Sequence, residues 1–200
     1  MIKAILACDD YGGVSKNGTL PWPHNSTDLK WFKENTLDQV VVMGSTTWED
    51  PSMPRPLPGR LNALITRREE EYFGWGAPHK VIFGDLNWAV PRLDSEHPGK
   101  TTWIIGGPNI IEQTLGVIDE FYLSRIPGAY ACDTFLPLKK IESLFERTWL
   151  EDHGLVTFEI WKKRSTNFKH IQQDLTQLNG EGNRDRGRYG EDESQNGVFV

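Results

Sequence analysis

Thr101-Thr102-Trp103-Ile104-Ile105-Gly106-Gly107-Pro108-Asn109 reads as a buried strand that runs into a glycine turn and then a helix start. Pro108 suits the first turn of a helix, where its missing N–H is no loss. Free backbone N–H groups at such a start suit an anion, and strand, glycine turn and helix is the element that holds pyrophosphates in nucleotide-binding folds. The GxGxxG fingerprint itself is absent. The same grammar recurs upstream: the aliphatic run 39–43 ends in Gly44-Ser45-Thr46-Thr47-Trp48, where Ser45 or Thr46 also reads as a simple N-cap. Run 2–8 leads into a loop over 9–25, run 61–65 leads into Thr66-Arg67-Arg68, and 80–83 and 120–126 are further strands. Helices are expected over 26–35, over 85–90 up to Pro91, and over 108–115. Runs 145–150 and 155–161 form a hairpin around Asp152-His153-Gly154. Strands alternating with helices imply an α/β single domain. Its central sheet is largely parallel, with helices on both faces and a C-terminal antiparallel hairpin. The loops at 9–25, 44–47, 66–68 and 106–109 all follow strands, so they should share the edge at which such sheets bind ligands.

A second stretch supplies the chemistry. In 18–33 a Gly/Pro loop carrying Trp22 turns into an amphipathic helix, with Ser26 or Thr27 as the expected N-cap. Asp28, Leu29 and Phe32 share one face, while Lys30 and Lys33 fall off it. Asp28 also reads as an ordinary first-turn helix acid. Yet a lone carboxylate on an apolar face costs stability unless something pairs with it, and that cost marks a binding site.

The 200 residues suffice for one substantial core, and a net charge of −6 argues against nucleic-acid binding through bulk charge. Cys8 and Cys132 are far apart and lack metal-ligand spacing, which suits a reducing compartment and two small buried apolar side chains. The apolar start is too short for a signal peptide, and Asp9-Asp10 ends it. No run approaches a membrane span. These features point to a cytoplasmic protein, monomeric by default. Most of the eight tryptophans are assigned to packing. From Ser165 the composition turns polar. The expected division is a folded domain over 1–164 and a mostly disordered tail over 165–200, with a transient helix over 171–178.

Taken in order, several motifs resemble those of the dihydrofolate reductase family over 1–164. They are Leu20-Pro21-Trp22, Asp28-Leu29 with Trp31-Phe32-Lys33, Val42-Met43-Gly44 with Thr47-Trp48-Glu49, and Arg55-Pro56-Leu57-Pro58-Gly59-Arg60-Leu61-Asn62. Thr66-Arg67, Ile105-Gly106-Gly107 and Asp133-Thr134 follow. The resemblance implies reduction of 7,8-dihydrofolate by NADPH, with hydride passing to C6 and a proton to N5. It makes Asp28 the ionisable group against the pterin, accepting from N3–H and the 2-amino group. Asp28 then favours N5 protonation, a water delivers the proton, Trp22 helps place that water, and Ser124 is the hydroxyl that steadies the acid. Leu29, Phe32 and Leu57 would contact the substrate rings, Arg60 the tail carboxylate, and Ile5 and Ala7 the floor between pterin and nicotinamide. Val14, Gly18 and Leu20 fall in the lid over the nicotinamide. Gly44, Ser45, Thr46 and Thr47, with Ile105, Gly106, Gly107, Pro108 and Asn109, would hold the pyrophosphate. Thr66 and Arg67 match the 2′-phosphate position. Differences from the family are Leu20 for a methionine, Ser45 for a basic residue, Ile111 for an aromatic, and extra residues in 49–54. The alternatives are a riboflavin-pathway pyrimidine reductase, which would not need Asp28, Trp22 and Arg60 together, and a folate- or nucleotide-binding homologue without turnover. No metal is expected.

Overall fold

The chain runs β1 (Ile2–Asp9), β2 (Gly13–Ser15), α1 (Ser26–Thr36), β3 (Val40–Gly44), α2 (Ser45–Trp48), β4 (Leu61–Ile65) and β5 (Lys80–Ile82). It continues through α3 (Leu86–Glu96), β6 (Thr102–Ile104), α4 (Pro108–Thr114), β7 (Glu120–Ile126) and β8 (Thr134–Phe135). It ends with α5 (Leu138–Leu144), β9 (Phe145–Asp152) and β10 (Thr157–Lys163). This computed structural model describes residues 1–68, 72 and 76–165. The expectations for the tail, including a helix over 171–178, fall outside the described residues.

Eight strands form one sheet in the order β5-β4-β3-β6-β1-β7-β10-β9. Every pair from β5 to β7 is parallel, while β10 is antiparallel to both β7 and β9. This is the expected architecture. Side-chain alternation on the strands divides the core. Ala4, Cys8, Val40 and Val42 join one cluster with Leu86, Val90 and Leu93 of α3, Ile111 of α4 and Ile141 of α5. Ile5, Val41 and Met43 join the opposite cluster, against which Trp31 and Phe32 of α1 pack. Burial on both faces explains why β3 is an unbroken apolar run. Among the described residues no helix is long and apolar enough to cross a membrane.

Several local expectations are corrected. The N-cap of α1 is Asn25, not Ser26 or Thr27, because its side-chain oxygen accepts from the Asp28 N–H at 3.0 Å. The N-cap of α2 is Gly44, so Ser45 and Thr46 are helix residues. Pro91 does not stop α3: it lies inside the helix, which continues because Val90 and Leu93 on its core face are fully or almost fully buried. The loop over 9–25 is not wholly irregular, since β2 pairs antiparallel with β8 in a small second sheet. Trp22, Trp48 and Trp103 are core residues, and Trp31, Trp149 and Trp161 pack against the core, but Trp88 is exposed beneath the Arg92 guanidinium.

Candidate active site

The carboxyl ends of the parallel strands open into a cavity of about 1090 Å³. All four loops singled out from the sequence contribute to its wall. At its floor stand Ile5 and Ala7 of β1, beside Ser124 of β7, with which Ala7 is in register.

Among the described lining residues Asp28 is the one buried carboxylate; Asp50 is half-buried and Asp133 exposed. Its helix is clamped to the sheet by Trp31, one turn on. The Trp31 ring stacks on Phe158 at 4.5 Å, on Trp149 at 5.8 Å and on Tyr122 at 5.9 Å. Asn25 fixes the first turn from the other end: it caps Asp28 and donates through its amide to the Leu155 carbonyl at 3.0 Å. Burial pushes the Asp28 carboxyl above the ordinary carboxylate range, and the Ser124 hydroxyl acts the other way. Leu29 and Phe32, from the same helix, line the cavity, and Leu29 is exposed into it.

Leu57 and Arg60 close the side of the cavity near Phe32. Arg60 is pre-aimed: its Nε and Nη2 each donate to Thr36 Oγ1 at 3.2 Å, and its Nη1 donates to the Pro58 carbonyl at 2.7 Å. The fully buried Asn62 amide holds the loop beneath it. It accepts from Leu57 N–H at 2.9 Å and donates to the carbonyls of Leu57 and Arg60, both at 3.0 Å. Sequence reasoning missed Thr36 and Asn62 as parts of the site. The signal available was a polar residue at a position of core periodicity, which has to find partners.

Gly44, Ser45, Thr46 and Thr47 line the cavity from one glycine turn, and Ile105, Gly107, Pro108 and Asn109 from the other. The two turns touch, with Gly44 N–H donating to the Gly106 carbonyl at 2.9 Å. A Cβ on Gly44 would stand 3.0 Å from the Ile110 side chain, which would have to shift by a few tenths of an ångström to admit it. Gly106, at φ +116, stands behind the lining. Ile111 does not face the cavity: it is fully buried in the core, and its neighbour Ile110 lines the wall. Thr66 and Arg67 also line the cavity, whereas Arg68 reaches Glu49 at 3.1 Å and Tyr72. Of the described lining residues, the cations are Lys33, Arg60 and Arg67.

The segment expected to act as a lid forms part of the wall. Val14, Gly18 and Leu20 line the cavity, and Asn17-Gly18, both at positive φ, turn between Lys16 and Thr19, which form a short bridge. Asn-Gly between flanking residues is a hairpin signal that the sequence reading passed over. The Asn17 N–H donates to Asp133 Oδ2 at 2.6 Å. Trp22 is not part of the lining; it is buried behind it against Ile126, Val156 and Phe158. The thiols do not enter the site. Cys8 is buried and its thiol is pushed up to about 12 by that burial, while Cys132 is only half-buried, contrary to expectation.

Residues 1–155 match the family model described as dihydrofolate reductase. The chain is 31% identical over 164 residues to the type 8 dihydrofolate reductase of Escherichia coli, covering 82% of this chain and 96% of that protein. It is 30% identical over 155 residues to the dihydrofolate reductase of Buchnera aphidicola, covering 76% and 88%. Among solved structures, a dihydrofolate reductase from Enterococcus faecalis in complex with NADP(H) superposes with a TM-score of 0.66 at 26% identity, covering 82% of this chain and 97% of that one. A parallel sheet with its ligand-sized cavity at the strand ends, a buried acid in that cavity and a matched length of 155 residues lead to one assignment: the chain belongs to the dihydrofolate reductase family.

Proposed function

We propose that this chain reduces 7,8-dihydrofolate to 5,6,7,8-tetrahydrofolate with NADPH, and that residues 1–164 carry the activity. The observation that carries this reading is Asp28, the single buried carboxylate among the described residues in the wall of a cavity of about 1090 Å³, with apolar side chains around it. Such a group is destabilising in the free protein and becomes useful only when a ligand supplies donors. A pterin does so through N3–H and its 2-amino group. The ionised Asp28 then favours a proton on the pterin N5, delivered by a water that Trp22 helps place, while Ser124 steadies the carboxylate. Leu29, Phe32 and Leu57 give apolar contact to the substrate rings, and Ile5 and Ala7 form the floor. Arg60, oriented by Thr36 and the Pro58 carbonyl, presents a fork to the tail carboxylate.

The residues present fit NADPH. Two glycine turns in contact, at 44 and 106–107, bring backbone without side chains to the cavity wall, and hydroxyls at Ser45, Thr46 and Thr47 stand beside them. They would hold the pyrophosphate together with Ile105, Pro108 and Asn109. Thr66 and Arg67 would take the adenosine 2′-phosphate. When bound, NADPH supplies the hydride for C6. The chain orients both partners, and Val14, Gly18 and Leu20 exclude water over the nicotinamide. The same reading has the protein act as a cytoplasmic monomer on a small-molecule substrate, with both cysteines as thiols.

The test is NADPH oxidation with dihydrofolate, followed by absorbance, for the unaltered protein and for Asp28→Asn, with NADH as comparison. Turnover that collapses in the variant and weakens with NADH supports the reading. Folded protein that binds folate without turnover would return the question to a binding-only homologue.

A further inference from the structure

Asp9 is a buried carboxylate with no place in the reaction: it is 2% exposed and lies outside the cavity lining. Its hydrogen bonds join two separate segments. Oδ1 accepts from the N–H groups of Tyr11 at 2.9 Å and Gly13 at 2.7 Å, at the root of the lid. Oδ2 accepts from the Tyr130 N–H at 3.2 Å and from the Cys132 thiol at 3.5 Å. Next to it, Asp10 and Gly128 exchange two bonds: Asp10 N–H donates to the Gly128 carbonyl at 3.1 Å, and Gly128 N–H to Asp10 Oδ2 at 2.8 Å. Segment 128–132 is thus stitched to the end of β1. Gly13 and Cys132 are packed so closely that a Cβ on Gly13 would stand 2.5 Å from the Cys132 sulfur. Burial alone would raise the Asp9 carboxyl, but the N–H groups of Gly13, Tyr130 and Tyr11 outweigh it and hold it below the usual range.

What this anchor holds in place is Tyr130. Its hydroxyl donates to the Pro127 carbonyl at 3.1 Å, and its ring meets Trp22 edge-on, with centroids 5.9 Å apart and planes at 73°. That is a favourable arrangement for the two ring quadrupoles. Trp22 shares a buried cluster with Ile126, Val156 and Phe158, and among the described residues the ring paired with it is that of Tyr130.

We infer that Tyr130 is a positioning residue for Trp22, and that the Asp9 carboxylate keeps Tyr130 in register with the lid root. The inference rests on the reading that Trp22 helps place the proton-delivering water. Trp22 stands behind the cavity wall and touches no ligand directly in that reading, so the effect of its contact with Tyr130 belongs in turnover and not in ligand affinity.

The test is steady-state kinetics with thermal melts on Trp22→Phe, Tyr130→Phe, Tyr130→Leu, Asp9→Asn and the double variant Asp9→Asn/Tyr130→Leu. Tyr130→Leu keeps much of the volume without the ring. It is expected to lower kcat about tenfold while the KM values for dihydrofolate and NADPH stay within about twofold. Tyr130→Phe keeps the ring and should restore kcat to within about twofold of the unaltered protein. Asp9→Asn keeps its size but cannot accept at both ends; it should lower kcat in the same direction. The double variant should fall short of the product of the two single effects. If Trp22→Phe loses kcat and Tyr130→Leu, folded, does not, the positioning role is wrong. It is equally wrong if Tyr130→Phe falls as far as Tyr130→Leu, or if the two sites act independently. If Trp22→Phe keeps full kcat, the reading of Trp22 itself fails.

Discussion

At the scale of single residues, function and stability pull Asp28 in opposite directions. Its carboxyl is raised by burial, so in the folded protein the ionised form carries a cost that the unfolded chain escapes. That cost is absent below the unfolded carboxylate range, where both states are protonated. It grows as pH rises through that range and is complete above the folded value. Asp28→Asn should therefore raise the Tm of the ligand-free protein at neutral pH, with a difference that shrinks on acidification. It should also lower kcat by about a hundredfold or more. Melts across a pH series and NADPH-oxidation rates check the two halves; a variant that melts lower at neutral pH would contradict the burial argument. Arg60 needs a different kind of support. Two of its nitrogens share one acceptor, Thr36 Oγ1. Thr36→Val removes that acceptor and lets the guanidinium swing. The expected result is a KM for dihydrofolate raised about tenfold with kcat nearly unchanged, since one aligned charge-assisted contact is lost in ground state and transition state alike. A pterin lacking the glutamate tail should not register the change. Asp28 was legible in the sequence because a charge breaks an apolar stripe visibly. Thr36 was not, because a buried hydroxyl at the end of a helix declares nothing until its partner, Arg60, 24 residues away, is seen beside it.

Among the elements, what was legible is what has a periodic hydrophobic signal. β1, β3, β4, β6 and β7 are buried runs and were expected within a residue or two of their bounds. β2 and β8 were not, because strands of 3 and 2 residues hold too few side chains to show alternation. They exist because the chain on either side of them is pinned, by Asp9 at one end and by the Asp133 bond to Asn17 at the other. The full length of α3 is not legible, because local propensity opposes the helix at Pro91 and the burial of Val90 and Leu93 overrides it. That conflict predicts a gain: Pro91→Ala restores a donor to the Asn87 carbonyl and removes the clash. It should add about 1 kcal/mol, or about 2–4 °C in Tm, after allowance for the freer unfolded chain. Activity should be unaffected. The reverse holds for α1, where the Trp31 ring makes the stacked contacts to the sheet. Trp31→Ala removes the stack on Phe158, Trp149 and Tyr122 and should cost about 2–4 kcal/mol. Denaturant titration measures it directly, and Trp31→Phe should recover much of the loss.

Across the whole molecule, the sheet order places the two halves of the cavity on different strands. Ser45, Thr66 and Arg67 follow β3 and β4 on one side, while Asp28 and Ser124 stand by β1 and β7 on the other. The chain has a net charge of −6, yet its cavity offers cations at both ends, Arg67 at one and Arg60 with Lys33 at the other. Each end can therefore be loaded and read separately. A ligand that binds only the folded state stabilises it by RT ln(1 + [L]/Kd), about 2.7 kcal/mol at a hundredfold excess over Kd. For a chain of this size that is a Tm rise of about 5–10 °C. NADPH at such a concentration should produce that rise, and NADH at the same concentration a smaller one, because it lacks the 2′-phosphate that the proposed function assigns to Thr66 and Arg67. Ser45 carries no charge, and Arg68 is engaged with Glu49, so the difference between the two cofactors should rest mainly on Arg67. Arg67→Gln should then bring the NADPH shift down to the NADH shift while leaving the shift caused by dihydrofolate in place. A variant that still separates the two cofactors would locate the discrimination elsewhere along β3 and β4. One that also lost the dihydrofolate shift would mean that the two halves of the cavity do not fold as independent receptors.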